Sequence, residues 1–230
     1  EGLRKQFRQI MTEPNINYYG NVVLGKEGSL SLDELKEMGF QAVLVAVGAQ
    51  GTKWLGLPGE ELTGVYHAKD LVYHYNQLPP FSQKEFVIGK RAAVIGVGNV
   101  MMDIAHWLIR DKKLDEVTAV ARRGPAEVKF TKKEMEAVGA NLDVAALDAE
   151  LARVKPVVSA VGQDVQTARD NILAGMQKAM EPSSTTRFRF MFLASPKRIL
   201  GDESGRVRGL EVEDTTLILK DDGDTKAKGL

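Results

Sequence analysis

Cysteine is absent from the 230-residue chain. That excludes a disulfide framework, a cysteine-ligated zinc or iron–sulfur centre and a CxxC redox pair within these residues. It also fits a reducing, cytoplasmic setting. An excess of one charge is missing as well, because Lys plus Arg and Asp plus Glu each total 31 and the formal net charge is zero. A nucleic-acid or membrane surface draws on a basic excess, so neither partner is expected. No apolar run approaches the roughly 18 residues that a membrane span needs. Residues 1–20 lack the basic, apolar, small-residue order of a signal peptide. An initiator Met is missing too, and Glu1 opens directly into an amphipathic helix. This start predicts an interior segment of a longer protein.

What is present is ordinary for a globular chain with a real core, at 43% hydrophobic and 27% charged residues. The length suits one large domain or two small ones. Residues 1–11 read as a helix with Leu3, Phe7 and Ile10 on one face, stopped by Pro14. Ile16 to Leu24 reads as β. Ser31 precedes a short helix whose first turn is acidic. The run from Gln41 to Val47 is continuously apolar and suits a strand buried on both faces of a parallel sheet. Residues 49–64 are punctuated by glycine and proline, as a connection between domains would be.

A helix follows from His67 to Asn76. Then come a strand at Ala92–Ile95, a helix from about Val100 to Ile109 and a strand at Val117–Ala121. That is a βαβ unit of about thirty residues. Beyond it, Lys132–Val138 and Val165–Met180 read as helices, Arg187–Leu193 as a strand, Gly205–Thr216 as strands around a turn, and residues 221–224 as a turn.

The chemistry is concentrated where the first strand of this unit ends in Gly96-Val97-Gly98-Asn99-Val100 and opens straight into the helix. Gly96 permits the tight turn. Gly98 lets a pyrophosphate approach the helix N-terminus, where free N–H groups and the dipole favour an anion. Met101 stands where the motif normally has Gly or Ala. It should loosen helix–strand packing or require a small neighbour. Asn99 adds a polar group near the phosphates.

The second strand ends in Arg122-Arg123-Gly124, where an NAD-specific unit places an acidic residue on the ribose 2′-hydroxyl. Two guanidinium groups suit a 2′-phosphate instead. The reading is NADP. His67, His74 and His106 are scattered, without the spacing of a metal site, and read as structural or surface groups. Asp103 sits in the first helical turn, where the dipole alone stabilises a carboxylate. No nucleophile elbow or Walker loop is present, the acidic turn lacks the later Glu of a calcium loop, and no metal site or catalytic side chain is expected.

In this order, Tyr19-Gly20-Asn21-Val22, the VAVGA run, Pro58-Gly59-Glu60-Glu61-Leu62, Tyr75-Asn76, GVGNV with Asp103, Arg122-Arg123-Gly124-Pro125, Phe130-Thr131 and Ser195-Pro196 span nearly the whole chain. The pattern resembles the adrenodoxin-reductase-like ferredoxin–NADP reductases. The resemblance implies a flavoprotein with two dinucleotide domains that passes hydride between NADPH and FAD, then electrons to a ferredoxin-like iron–sulfur partner. It implies that Val97, Gly98, Asn99 and Val100 touch the NADP pyrophosphate, and Arg122 and Arg123 the 2′-phosphate. Glu134 matches a carboxylate near the nicotinamide end, its other reading being a solvated helix-face residue. Val22 matches a position whose backbone meets FAD, its other reading being strand core.

The expected fold class is therefore α/β: a Rossmann-like domain over residues 50–225 with an antiparallel β element, and part of an FAD domain over residues 1–49. Residues 226–230 would begin a return to the FAD domain. The family's FAD glycine motif is expected before Glu1, and its closing segment after Leu230. Two other readings stay open: a domain of a glutamate-synthase-type small subunit, and a nucleotide-binding module without catalysis.

Overall fold

The chain divides into two units, Glu1–Gly51 and Thr52–Leu230. The computed structural model describes residues 2–48, 51–179 and 181–230.

In the first unit, helix α1 spans Gly2–Ile10 and helix α2 spans Leu32–Glu37. A capping box starts α2: the Ser31 N–H donates to Glu34 Oε2 at 2.7 Å, and the Glu34 N–H donates to Ser31 Oγ at 3.2 Å. The two strands expected here do not form. Ile16–Leu24 reduces to an isolated bridge between Leu24 and Leu30. Residues 41–47 carry no strand, and Leu44 is 91% exposed. An apolar run becomes a buried strand only when neighbours take up its N–H and C=O groups. Among the described residues of this unit there is no second strand to do so.

The second unit opens on α3, Ala68–Tyr75, capped by the His67 ring. The βαβ unit follows as expected. Strand β1 is Arg91–Ile95, helix α4 is Asn99–Trp107, and strand β2 is Glu116–Val120. A π-helical turn at Leu108–Lys112 prolongs α4 until Lys113 ends it in the left-handed region. Then come α5 (Lys132–Glu136), α6 (Val144–Ala160) and α7 (Val165–Leu173). The last strands are β3 (Arg187–Met191), β4 (Ala194–Gly201), β5 (Val207–Leu219) and β6 (Thr225–Gly229).

The α/β class holds, with one parallel and one antiparallel sheet among the described residues. The parallel sheet has the order β1-β2-β3, with Val94 opposite Ala119 and Val117 opposite Phe188. The antiparallel sheet has the order β4-β5-β6. The core beneath the parallel sheet takes Met102, Ile104 and Ile109 from α4 and its π-helical continuation, Val117 from β2, Phe188 from β3, and Leu147, Leu151, Val154 and Val158 from α6. Full burial of each such side chain contributes about 1.5–3 kcal/mol.

Strands β4 and β6 were not anticipated, and three further elements differ from expectation. Helix α6 was not anticipated, although Leu147, Leu151, Val154 and Val158 repeat at helical spacing; Pro156 inside it obscures the pattern. Helix α7 ends at Leu173 rather than near residue 180, and a single tight turn at Met176–Lys178 follows. The turn expected within Gly205–Thr216 lies at Asp202–Gly205, which leaves β5 one long strand.

Candidate functional site

At the C-terminal end of β1 the chain makes its sharpest local demand. Gly96 has φ +117°, a conformation that side-chain-bearing residues rarely adopt. Its N–H donates to the Val120 carbonyl at 2.9 Å, which ties the turn to β2. Gly98 is the N-cap of α4 with an extended backbone, and a Cβ placed on it would meet nothing within 4 Å. The space in front of the helix N-terminus is therefore open where a phosphate would approach. The first helical N–H groups have no side-chain cap there. That combination forms an anion cradle.

Val97 and Asn99 fasten this turn to the loop after β2. The Lys129 N–H donates to the Val97 carbonyl at 2.8 Å, and the Thr131 N–H donates to Asn99 Oδ1 at 3.0 Å. Thr131 in turn caps α5, its Oγ1 accepting from the Glu134 N–H at 3.3 Å. Phe130 stacks on Phe190 of β3 at 5.8 Å between ring centres. Val100 is 54% exposed on the first turn of α4. Met101, expected to loosen the helix, is only 4% exposed within the core. Burial of this unbranched side chain offsets the missing small residue.

The two arginines at the end of β2 are placed differently. Their backbone is fixed: Thr215 Oγ1 donates to the Arg122 carbonyl at 2.7 Å, and the Leu193 N–H donates to the Arg123 carbonyl at 3.1 Å. Arg122 is exposed and makes no side-chain bond among the described residues. Arg123 is half-buried, and its Nη1 donates to Thr225 O at 3.2 Å and to Asp224 Oδ1 at 3.4 Å. Gly124 is needed for space, since a Cβ there would lie 2.8 Å from Val158 Cγ1. Glu127, three residues on, accepts from Gln163 Nε2 at 2.7 Å and from Thr225 Oγ1.

Gly96, Val97, Gly98, Asn99, Val100, Arg122 and Arg123 are thus gathered at the ends of the neighbouring strands β1 and β2. Glu134 is half-buried on α5. With Asp103 it acts by charge on His106 of α4, whose pKa nevertheless falls, mainly through burial and then through Arg110. Val22 belongs to the other unit and is 48% exposed. Thr215, Thr225 and Glu127, which hold the arginine loop, were not anticipated. A lone Thr on a strand or a Glu after a Gly-Pro pair carries no signal of its own. Among the described residues no cluster of His, Cys, Asp or Glu is suited to a metal, and no helix is long and apolar enough to cross a membrane.

Comparison with known proteins gives a consistent picture. The chain is 30% identical to NADPH-ferredoxin reductase FprA of Mycobacterium leprae, covering 99% of this chain and 54% of that protein. It is 29% identical to the mitochondrial NADPH:adrenodoxin oxidoreductase of Arabidopsis thaliana, covering 92% and 50% respectively. A solved structure of Mycobacterium tuberculosis FprA in complex with NADPH superposes with a TM-score of 0.76 at 30% identity, over 99% of this chain and 54% of that one. The chain thus spans about half the length of the relatives it matches. No family model matches it.

Proposed function

The chain belongs to the adrenodoxin-reductase-like ferredoxin–NADP reductases, and from that premise we propose that it supplies the NADP(H)-binding half of a flavoprotein oxidoreductase. The observation that carries the proposal is the pairing of the open cradle at Gly98 with the exposed Arg122 just after the next strand. In this reading Gly96 shapes the turn, and Val97, Gly98, Asn99 and Val100 meet the pyrophosphate. Arg122 and Arg123 face the 2′-phosphate, and Glu134 lies toward the nicotinamide. The residues present fit the phosphate groups of NADP: an uncapped helix start, open space and a neighbouring pair of cations.

They do not fit an FAD pyrophosphate in the same way. Among the described residues of the first unit, no strand leads through a glycine turn into a helix. Val22 would contribute an edge of a flavin site and not its phosphate anchor. Hydride transfer between NADPH and FAD, with electrons passing on to a ferredoxin-like iron–sulfur acceptor, is accordingly proposed for the family's full two-domain architecture. A division near residue 50 into a flavin-side part and a nicotinamide-nucleotide part goes with it. A cytoplasmic location is also proposed; the Arabidopsis relative is named as mitochondrial, and subcellular fractionation decides between the two.

Calorimetric titration of the chain with NADPH and NADH tests the central reading. NADPH should bind more tightly. Replacing both Arg122 and Arg123 with Ala should weaken NADPH by about 1.5–3 kcal/mol for each charge-assisted hydrogen bond removed, with NADH little changed. Equal affinity of the unaltered chain for the two nucleotides would refute it.

A further inference from the structure

The turn between β5 and β6 ends at Asp224, 101 positions along the chain from the arginine that it meets. Asp224 Oδ1 lies 3.4 Å from Arg123 Nη1, and its Oδ2 lies 3.1 Å from Lys220 Nζ. The backbone of the turn is fixed. The Lys220 N–H donates to the Asp224 carbonyl at 2.8 Å, the Asp224 N–H donates to Asp222 Oδ1 at 3.0 Å, and the next residue, Thr225, is buried and bonded to Glu127. A closed turn therefore holds a carboxylate against the half-buried arginine of the pair.

We propose that Asp224 sets nucleotide specificity by competing with the ribose 2′-phosphate for the Arg123 guanidinium, holding the preference for NADPH below what two free arginines would give. This rests on the NADP reading of the site. A carboxylate at salt-bridge distance turns Arg123, as seen from a phosphate a few ångströms further out, from a cation into a nearly neutral pair. Lys220, then the Thr225 N–H and Arg123 itself, hold the Asp224 carboxyl below the usual carboxylate range, so it stays charged wherever nucleotide binds. Arg123 does not depend on Asp224 for its place, because the Thr225 carbonyl also accepts from Nη1, at 3.2 Å. Its Nε and Nη2 make no hydrogen bond among the described residues and remain available to a phosphate oxygen. Arg122 carries its charge without such an attenuator.

The test compares Asp224→Asn and Asp224→Ala with the unaltered chain by titration with NADPH and NADH at low and high salt. Removing one negative charge beside a doubly charged phosphate should tighten NADPH by about three- to tenfold at low ionic strength. Both variants should show the gain, NADH should not, and about 0.5 M salt should erase most of it. A merely structural role predicts something else: Asn, which keeps the acceptor, behaves like Asp, while Ala weakens binding. That pattern, or an equal gain for NADH, would overturn the proposal. Arg122→Ala separates this inference from the reading beneath it. If that variant abolishes the preference for NADPH while the Asp224 variants leave it unchanged, only the role of Asp224 falls. If the unaltered chain binds NADPH and NADH equally, the NADP reading falls and this inference with it.

Discussion

Valine at position 98 should separate folding from binding. The backbone of Gly98 is extended, at φ −110° and ψ −178°, where any residue is comfortable. An added Cβ meets no protein atom within 4 Å. The folding cost is then that of a poor helix cap, about 0.5–1 kcal/mol, or about 1–4 °C in melting temperature for a chain of this size. Binding should suffer far more. The branched side chain occupies the space through which a pyrophosphate reaches the α4 N–H groups, and each charge-assisted bond removed costs about 1.5–3 kcal/mol. That is roughly a 10- to 100-fold loss per bond. NADPH and NADH share this pyrophosphate, so both should weaken alike. Gly96→Ala should give the opposite pattern. It also has open space, but φ +117° strains any side-chain-bearing residue, at about 1–3 kcal/mol, and its melting temperature should fall by more than that of Gly98→Val. Calorimetric titration with both nucleotides and a thermal melt of each variant decide the matter. A folded Gly98→Val that binds NADPH as tightly as the unaltered chain would place the phosphate elsewhere and refute the reasoning.

Gly124→Ala should lower the melting temperature by several degrees, because its Cβ would lie 2.8 Å from a Val158 methyl that is itself fully buried. Because Gly124 directly follows the two arginines, the variant should weaken NADPH more than NADH; equal weakening would detach Gly124 from the 2′-phosphate site. Incubated with excess FAD and then gel-filtered, the chain should show no flavin absorbance, since the glycine turn at Gly96 and Gly98 is assigned to NADP. Stoichiometric flavin retention would mean that this turn has been assigned to the wrong dinucleotide.

Most of the parallel half of the fold was legible because its signals are local. Ala92 to Ile95 is a run of small and apolar residues, Gly96 and Gly98 mark the turn, and buried Ile104, Trp107 and Leu108 repeat at helical spacing along α4 and its continuation. Helix α6 carried the same signal, but Pro156 reads as a breaker when the surrounding turns are not visible. The first unit shows the converse limit. The run from Gln41 to Val47 has the composition of a buried strand, but composition states only what the run would do beside a partner. Helix α2 succeeds nearby because its capping box satisfies it from within the segment.

The candidate site divides along the same line. A glycine turn and a pair of adjacent arginines are written contiguously, and each points to an anion. The distinction between those arginines is not written near them. Arg122 and Arg123 share a residue type, a charge and a place at the end of β2, yet one is exposed and the other is bonded to Asp224 and Thr225. Thr215, which anchors the Arg122 carbonyl, comes from the middle of β5. The antiparallel sheet, which contributes nothing to the dinucleotide motif, therefore fixes the loop to which nucleotide choice is assigned in the proposed function. Residue type establishes what a guanidinium could attract, and the strands packed behind it establish how much of that attraction is left for a ligand. On the proposed reading, selectivity for NADPH is set by β5 and β6 as much as by the arginines themselves, and exchanging the arginines alone samples only half of it.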